Sequence, residues 1–453
     1  MLLFNTLTGR KSEFKPNGDT ITMYVCGVTV YDDCHIGHAM SYILFDVIRR
    51  YFKYRGYKVK YVQNFTDVDD KIINRANQLG ISTTDLSEKY IDEYFKDMDR
   101  LNITRADIYP RATEEIPKII EVIEGLIERE YAYESNRSVY YRVKKFPEYG
   151  KLSHQNTDEM ISNTSPDTEE KESPLDFALW KAAKPGEPAW ESPWGNGRPG
   201  WHIECSAMSL KYLGESIDIH GGGKDLIFPH HENEIAQSES YTGKPFVQYW
   251  LHNGLLQMSG DKMSKSLGNL VTVKEALDRF SADAIRFFIL SSHYRSPITY
   301  SEEALEAAEA GIDRLRQAVK KHAGANTGTI KLDSAPYRDR FIESMDDDFN
   351  SAQAIAALFD LAREINRGAA EGMDVDEARQ TLIELVQIMG FTLEELEKPA
   401  VDAGPLIELL LSIRAEMRKA KNWQMSDKIR DGLAALGIAL EDTPDGTTWK
   451  RGH

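Results

Sequence analysis

The chain has 453 residues, of which 41% are hydrophobic and 28% are charged. This length accommodates about three domains, and the composition is that of an ordinary globular protein rather than a small disulfide-stapled scaffold. No apolar run approaches the ~18 residues of a membrane-spanning helix, and no secretory signal is visible, so we expect a cytoplasmic protein that does not enter a membrane. Lysine and arginine total 55 against 72 acidic residues, a net charge of −17, which argues against non-specific binding of nucleic acid.

The first elements in chain order predict a parallel α/β unit. Residues 21–26 alternate as a strand does, apolar residues recur at helical spacing over 43–51, and 57–65 are rich in aromatic and β-branched residues. A strand, a helix and a second strand joined by a right-handed crossover indicate a Rossmann-type sheet. Residues 216–220 and 247–256 resemble strands that return to this sheet.

The residues between these strands predict an insertion. The pattern over 107–133 is helical, whereas 155–172 are polar, acidic and poor in large apolar side chains. We interpret 155–172 as a mobile part of the insertion.

Beyond residue 301 the periodicity becomes helical, over 302–322, 337–367 and 376–390, which predicts an antiparallel bundle. Residues 398–405 have breakers at both ends and indicate a linker, and 406–436 are again helical. The fold class we expect is α/β with an inserted domain, a helical bundle and a small C-terminal α+β module. The expected boundaries are 1–120 with 191–300 for the α/β domain, 121–190 for the connective insertion, 301–397 for the bundle and 406–453 for the module.

Two runs are basic against this acidic background. One comprises six cations between Arg49 and Lys60; the other, 411–453, has eight basic and six acidic residues. Either run could simply be a solvated face, and either could receive a polyanion.

A histidine pair marks the start of the first helix. Residues 35–38 read His-Ile-Gly-His and fall between the first strand and the amphipathic helix. A helix N-terminus offers unpaired N–H groups and positive dipole, the imidazoles of His35 and His38 add donors, and Gly37 lets a flat purine or a phosphate approach the backbone. The location therefore predicts a nucleotide site, although two histidines can also serve only as a helix cap.

A second motif, Lys262-Met263-Ser264-Lys265-Ser266, lies between Gly260 and Gly268. Its two ammonium groups stand on a loop free to close over phosphates, where they can meet the charge that develops as pyrophosphate leaves ATP. A loop rich in lysine and serine is often merely solvated. Together with the histidine motif, however, it resembles the signature pair of class I aminoacyl-tRNA synthetases.

Only three cysteines occur, Cys26, Cys34 and Cys205, an odd number that argues against a disulfide framework. Zinc takes four ligands from cysteine, histidine and carboxylate, and the run from Phe228 to Glu234, Phe-Pro-His-His-Glu-Asn-Glu, supplies the last two kinds. From the residues alone, His231 could replace His230, Glu232 could replace Glu234, and Cys34 could replace either of the other thiolates. Without a metal, the same residues would be buried thiols beside a helix-capping cluster.

Three further segments, 27–35, 200–206 and 220–223, are similar to the cysteinyl-tRNA synthetase family, and the similarity extends over essentially the whole chain. The resemblance implies one zinc ion held by Cys26, Cys205, His230 and Glu234, which selects the thiolate of L-cysteine against the near-isosteric serine. It also implies ATP with Mg²⁺, formation of cysteinyl-adenylate, and transfer of cysteine to the 3′ end of tRNA(Cys). We expect the enzyme to be a monomer.

The resemblance also assigns roles to single residues. His35, His38, Lys262 and Lys265 would be catalytic. The amino-acid pocket would be lined by Gly27, Thr66, Trp201 and Asp225, with Asp225 taking the ammonium group. ATP would be held by Gly37, Lys265, Ser266 and a turn formed by Gly221, Gly222 and Gly223. The anticodon would be read in the C-terminal module, for which the candidates are Arg418, Lys419, Trp423, Asp427, Asp442 and Trp449; Trp423 could instead be a core residue.

Two rival functions follow from the same residues. A relative that activates cysteine and joins it to an amino sugar would share the catalytic part but lack the C-terminal module. An inactive zinc-dependent RNA-binding protein would not need His35, His38, Lys262 and Lys265 together.

Overall fold

The computed structural model describes residues 1–156, 170–258, 261–262, 270–321, 329–394, 404–443 and 446–451. These residues form two compact units, Met1–Glu394 and Glu395–His453. Among the helices of the described part, none combines the length and apolar character required to cross a lipid bilayer. Most of the predicted mobile segment, 157–169, falls outside the described residues.

The first unit begins with alternating strands and helices. In chain order they are β1 (Leu2–Asn5), β2 (Arg10–Glu13), β3 (Thr20–Thr29), α1 (Ile36–Tyr54), β4 (Lys58–Thr66), α2 (Asp70–Leu79), α3 (Thr83–Arg100), α4 (Ile116–Glu128), β5 (Ala132–Ser135), β6 (Ser138–Tyr141), β7 (Phe177–Ala182), β8 (Gly197–Pro199), α5 (Trp201–Leu213), β9 (Ile217–Gly223), α6 (Glu232–Thr242), β10 (Val247–Asn253), β11 (Leu256–Met258), β12 (Asp261–Lys262), α7 (Val273–Leu277), α8 (Ala282–Leu290) and β13 (Ile298–Tyr300).

The central sheet has the strand order β10-β9-β3-β4, and all of its pairings are parallel. The chain leaves β3 toward β4 on one side and later returns through β9 to β10 on the other, so the switch in direction lies between β3 and β9. In doubly wound sheets ligands bind at the carboxyl ends of the strands at this point. The α/β fold class is confirmed, and so is the return of the two later strands to this sheet.

The predicted helix over 107–133 is only partly correct. Residues 108 and 111 form isolated bridges with β4, α4 covers Ile116–Glu128, and the chain then enters β5. Strands β5, β6, β7 and β8 pair antiparallel as a separate small sheet, which the sequence pattern did not predict. Nor did it predict α2 and α3, which begin at the capping residues Asp69 and Ser82.

The rest of the first unit is helical. Its helices are α9 (Glu302–Lys320), α10 (Ala335–Asp346), α11 (Ser351–Ala370) and α12 (Asp376–Ile388). The periodic run predicted over 337–367 is broken, because Asp348 and Phe349 adopt positive φ angles of 61° and 52°. The buried Asp348 carboxylate accepts the backbone N–H of Phe4 at 2.8 Å, which ties this break to β1. The domain boundaries within the first unit stay a prediction.

Two cations of the first basic run, Arg49 and Arg50, form ion pairs within the first unit. Arg49 is buried and its guanidinium lies 2.6 Å from Asp107. Arg50 forms an ion pair with Asp46 at 2.9 Å. The Arg49 pair joins α1 to the segment that holds Asp107, whereas the Arg50 pair lies within α1.

The second unit consists of α13 (Gly404–Lys419), α14 (Trp423–Ala435) and the antiparallel strands β14 (Ile438–Thr443) and β15 (Gly446–Arg451). Ile407, Leu411 and Leu433 form its small core. Of the predicted linker, 398–403 lie outside the described residues, whereas Gly404 and Pro405 begin α13. Proline is tolerated there because its missing N–H falls in the first helical turn.

Candidate active site

The two signature histidines cap α1 reciprocally. The backbone N–H of His38 donates to His35 Nδ1 at 3.3 Å, the backbone N–H of His35 donates to His38 Nδ1 at 3.4 Å, and the rings stack with centroids 3.6 Å apart. Because each Nδ1 accepts, a neutral ring carries its proton on Nε2. A Cβ atom at Gly37 would come within 2.9 Å of the His35 ring, so the glycine makes room for this stacked pair.

The start of α1 is joined to the chain that follows the second signature. Ile36 N–H donates to the Val271 carbonyl at 3.0 Å, and Val273 N–H donates to the Cys34 carbonyl at 2.8 Å. Lys262 lies in β12, which pairs antiparallel with β11. Its side chain, together with all of Lys265 and Ser266, lies outside the described residues.

A cavity of about 580 Å³ opens at the carboxyl ends of β3 and β9. Predicted site residues from separate parts of the sequence share its wall: Cys26, Gly27, His35, Gly37, His38, Trp201, Gly222, Gly223 and Asp225. The signature histidines and one of the predicted metal ligands therefore face the same space.

A cluster of buried donors lies beside this cavity. Ligand atoms of Cys26, His230, His231 and Glu234 all lie within 4.8 Å of one another, and the sulfur of Cys205 lies 3.8 Å from that of Cys26. The three cysteines are free thiols. Two sulfurs each about 2.3 Å from a tetrahedral zinc ion would be about 3.8 Å apart, so the sulfur pair has a spacing that zinc requires.

The two histidines of the cluster differ in their contacts. His230 Nε2 lies 3.0 Å from Glu234 Oε1, whereas His231 Nε2 lies 3.9 Å from that oxygen and 3.2 Å from the Cys26 sulfur. Five donors thus converge where a tetrahedral ion needs four. The donor set fits zinc, and its geometry alone admits either histidine.

Glu232 and Cys34, which the sequence also admits as metal ligands, have other contacts. Glu232 accepts backbone N–H groups of Gly150, Leu152 and Ser153, which commits its carboxylate to the fold. Cys34 does not belong to the cluster of metal-ligand atoms and packs in the main core. The structure therefore favours Glu234 as the carboxylate and Cys26 with Cys205 as the thiols.

The electrostatics of the cluster suit a cation. Burial alone would raise the pKa of Glu234, but His220 and His230 lower it to about 2. A hydrogen bond from the Cys26 thiol lowers the pKa of Cys205 to about 6. Burial, with neighbouring imidazoles adding to it, holds the pKa of His231 well below its usual range, which keeps this ring neutral. An anionic carboxylate and an acidic thiol are ligand forms that a divalent ion takes. His230 differs from His231, because burial would lower the pKa of His230 but Glu234 and Cys205 outweigh this effect and raise it to about 10.

A shell of imidazoles that sequence reasoning missed surrounds these donors. His220 Nε2 lies 2.8 Å from Glu234 Oε2, and His202 Nδ1 lies 2.9 Å from His230 Nδ1. His252 Nε2 lies 2.8 Å from His231 Nδ1. Outer partners of this kind orient metal ligands. His220 begins the His-Gly-Gly-Gly segment, but nothing in the local sequence marks His252.

Three of the four predicted pocket residues, Gly27, Trp201 and Asp225, line the cavity, and Thr66 does not. Trp201 stacks on His230 with centroids 4.2 Å apart and is 38% exposed. Thr66 is buried and donates to Glu204 Oε2 at 3.0 Å, and it is not among the residues that line the cavity.

The predicted glycine turn is wrong, because Gly221, Gly222 and Gly223 continue strand β9. A Cβ atom at Gly221 would lie 2.1 Å from the Phe45 ring, and one at Gly223 would lie 2.5 Å from an Asp225 carboxylate oxygen. Close packing in an extended strand, rather than a turn, therefore requires glycine here.

The candidates in the second unit differ in exposure. Arg418 and Lys419 lie in the last turn of α13, where Lys419 is exposed, and Trp423 is 57% exposed at the start of α14, which contradicts a place for it in the core. Asp427 pairs with Arg430 at 3.0 Å. Trp449 packs on the small core and donates to Glu408 at 3.0 Å. Asp442 lies in β14, and its side chain is outside the described residues.

Comparison with solved structures places this fold among known synthetases. The structure of Mycobacterium tuberculosis methionyl-tRNA synthetase in complex with methionyl-adenylate matches with a TM-score of 0.62 and 18% identity, covering 82% of this chain and 90% of that chain. A putative arginyl-tRNA synthetase from Campylobacter jejuni matches with a TM-score of 0.55 and 13% identity, covering 84% and 93%. At such identities the likeness concerns the fold.

Family models match nearly the whole chain. The class I (C) tRNA synthetase catalytic domain matches residues 13–310, the DALR domain 340–394, and the cysteinyl-tRNA ligase anticodon binding domain 401–449. Fold, cavity and matched domains thus define a class I aminoacyl-tRNA ligase.

Comparison with curated relatives identifies the family within this class to which the chain belongs. Cysteine–tRNA ligase of Dehalococcoides mccartyi is 59% identical over 454 residues, covering 99% of each chain. Cysteine–tRNA ligases of Thermodesulfovibrio yellowstonii and Carboxydothermus hydrogenoformans are each 51% identical, over 99% and 100% of this chain and of their own length. The chain therefore belongs to the cysteine–tRNA ligase family.

Proposed function

We propose that this enzyme joins L-cysteine to ATP to give cysteinyl-adenylate and pyrophosphate, and then transfers cysteine to the 3′ end of tRNA(Cys). The observation that carries the proposal is the shared cavity, in which Cys26 of the thiol cluster and the helix-capping pair His35 and His38 face one space. A cysteine side chain held at the cluster would present its carboxylate toward the nucleotide end of the same cavity.

The first step needs positioning and charge stabilisation rather than a protein nucleophile. A carboxylate oxygen of cysteine attacks the α-phosphorus of ATP, and the bond to the departing pyrophosphate breaks. Charge then concentrates on the phosphoryl oxygens, where the Nε2–H groups of His35 and His38 and the N-terminus of α1 would donate. We assign Lys262 and Lys265 to the departing phosphates, with Ser266 beside them, and we expect ATP to enter with Mg²⁺.

We propose Cys26, Cys205, His230 and Glu234 as ligands of one zinc ion. The 3.8 Å sulfur separation supports the two cysteines. The resemblance to the family favours His230 over His231, and the 3.0 Å contact of His230 Nε2 with Glu234 Oε1 is compatible with that choice. A zinc ion held by these four residues could accept a fifth ligand, and a soft substrate thiolate would bind there strongly whereas a serine hydroxyl would bind weakly.

The protein around this position completes the selection. Gly27 and Trp201 flank the cavity next to the cluster, and Asp225 would accept the substrate ammonium group. Thr66 acts from behind the wall, through its hydrogen bond to Glu204. Gly222 and Gly223 would let the adenylate approach the β9 backbone, while Gly221 provides the packing that keeps the strand in place.

In the second step a terminal ribose hydroxyl of the tRNA attacks the adenylate carbonyl, and AMP leaves. We propose that the second unit binds the anticodon of the tRNA, with Trp423 as a base-stacking side chain and Arg418 and Lys419 as phosphate contacts. Asp427 and Asp442 would accept hydrogen bonds from base edges.

The proposal is tested by cysteine-dependent exchange of labelled pyrophosphate into ATP, measured without tRNA on purified, zinc-loaded protein. We expect exchange with cysteine and little with serine. Absence of exchange would remove the ligase function. A separate assay with tRNA and with amino sugars as acceptors decides between the proposal and its first rival, since only the proposal predicts charged tRNA.

A further inference from the structure

The strand that carries Cys26 is irregular at that residue. In the β3–β4 ladder Val25 pairs with Gln63 and Val28 pairs with Phe65, so Cys26 and Gly27 together lie opposite the single residue Asn64. Two residues opposite one constitute a β-bulge, which turns a side chain out of the regular alternation and leaves a backbone group without a ladder partner. The bulge therefore determines where the Cys26 sulfur points.

Asn64 takes up the backbone group that the bulge releases. Its side-chain oxygen Oδ1 accepts the Gly27 N–H at 2.9 Å, and the residue is 1% exposed. The Asn64 main chain also approaches closely, because a Cβ atom at position 27 would lie 1.5 Å from the Asn64 carbonyl oxygen. A buried N–H without an acceptor is costly, so the bulge depends on this amide.

The same amide reaches the other cysteine and the predicted pocket. Since Oδ1 must face the Gly27 N–H, the amide is oriented with Nδ2 toward Thr66 Oγ1, at 3.5 Å. Oδ1 also lies 3.7 Å from the sulfur of Cys205. Thr66 in turn donates to Glu204, the residue before Cys205. Asn64 thus contacts Gly27, which follows Cys26, and Thr66, which is hydrogen-bonded to the residue before Cys205.

We propose that Asn64 is a positioning residue of the metal centre. Its Oδ1 closes the bulge that turns Cys26 toward Cys205, and its Nδ2 steadies Thr66. Asn64 does not touch the substrate; it acts through Cys26 and Thr66. The inference rests on the proposed zinc ligands and adds to them a residue from a strand that supplies no ligand itself.

A purely structural role would give a different result from this positioning role. If the amide only satisfies a buried N–H, its loss lowers the stability of the fold and leaves the metal centre unchanged. If it positions Cys26, its loss changes the number of sulfurs that the metal binds. Cobalt(II) substituted for zinc reports that number directly, because the intensity of the sulfur-to-cobalt charge-transfer absorption rises with each thiolate ligand.

The experiment compares Asn64→Leu, Asn64→Asp and the wild-type chain. Leucine keeps the side-chain size without an acceptor, whereas aspartate keeps an oxygen for the Gly27 N–H. Cys26→Ser provides the absorption of a centre with one thiolate. Asn350→Ala serves as the matched control, because Asn350 also accepts a backbone N–H with its side chain, at the start of α11. Zinc affinity is measured by competition with a chelator, and folding by circular dichroism.

We expect Asn64→Leu to weaken zinc binding by about 10- to 100-fold and to lower the cobalt absorption toward that of Cys26→Ser. Asn64→Asp should restore the absorption, and Asn350→Ala should leave both quantities unchanged. Wild-type absorption and affinity in folded Asn64→Leu would overturn the proposal, as would an equal loss in Asn64→Asp. Should Asn64→Leu not fold, Asn64→Ser decides by the same criteria. A wild-type chain that binds no metal would instead refute the proposed zinc centre itself.

Discussion

The sulfur atoms of Cys26 and Cys205 lie 3.8 Å apart although the residues are 179 positions apart in the chain. Cys26 is brought there by the carboxyl end of β3 and Cys205 by the second turn of α5. Glu234, on α6, lies 3.5 Å from the Cys26 sulfur through its Oε1 atom. Three elements from separate parts of the sequence therefore build one candidate metal centre at the edge of the catalytic cavity.

Replacing Cys205 with serine tests the role of this pair. The variant loses a soft ligand, so we expect weaker zinc binding and a KM for cysteine that rises at least about 10-fold more than the KM for ATP. Steady-state pyrophosphate exchange at varied cysteine and ATP measures both constants. Cys34→Ser, which changes the third buried cysteine, should leave zinc affinity unaltered. Equal increases in the two KM values would contradict a metal that holds the cysteine side chain.

The two histidines that cap α1, His35 and His38, should affect the rate of pyrophosphate exchange. His38→Asn keeps a side-chain oxygen that can cap α1 but removes the Nε2–H donor, so the exchange rate should fall by about 10²- to 10³-fold while zinc content stays at the wild-type level. His154→Asn, a change in an exposed histidine, is the control and should exchange normally. A His38→Asn enzyme with the wild-type rate would show that His38 does not stabilise the charge that develops on the phosphoryl oxygens.

Asp97 on α3 predicts a pH dependence of stability. It is 1% exposed, neither carboxylate oxygen has a hydrogen-bond partner among the described residues, and burial raises its pKa to about 6. The charged groups that act on it are Asp33, Glu93, Arg100 and Lys274. Between pH 4 and 6 the unfolded chain ionises Asp97 and the folded chain does not, so the free energy of unfolding falls as pH rises through this range and levels off above it.

Asp97→Asn should remove this pH dependence. Relative to the variant, the wild-type chain should lose up to about 3 kcal/mol of unfolding free energy between pH 4 and pH 7. Urea unfolding at a series of pH values gives the difference curve. Asp92→Asn, on the exposed side of the same helix, should give a flat one. If the difference in unfolding free energy between the wild-type chain and Asp97→Asn does not change with pH, or rises with pH, the raised pKa is refuted.

Trp423 tests the second unit. Because base stacking on an aromatic side chain is worth about 1–3 kcal/mol, Trp423→Ala should raise the KM for tRNA at least about 5-fold. Pyrophosphate exchange without tRNA should not change. Leu436→Ala, which removes an apolar side chain that is 77% exposed on the same unit, is the control. Unchanged charging kinetics in Trp423→Ala would exclude this ring from tRNA binding.

Local sequence patterns were enough to predict the parallel core. The alternation over β3, the helical spacing over α1 and the β-branched residues of β4 are properties of consecutive residues, and each predicted element is present. The short strands β5 to β8 escaped prediction because their stability comes from pairing with one another across the insertion rather than from a long periodic pattern.

The residues of the candidate site also include some that the sequence could predict and others that it could not. Residue type marked the three cysteines and the Phe228–Glu234 run as candidate metal ligands, and the resemblance to the family selected Cys26, Cys205, His230 and Glu234 among them. His252 and Asn64 could not be marked, since each acts through a contact with a residue far away in the chain. The bulge opposite Asn64 is likewise a property of the register between two strands, and no single strand shows it.

X-ray absorption at the zinc edge tests the central claim most directly. The account predicts one zinc ion per chain with two sulfur neighbours at about 2.3 Å, a third sulfur after cysteine is added, and no change after serine is added. An absent zinc signal, or a sulfur count that cysteine does not raise, would contradict the selection of the substrate through its side chain.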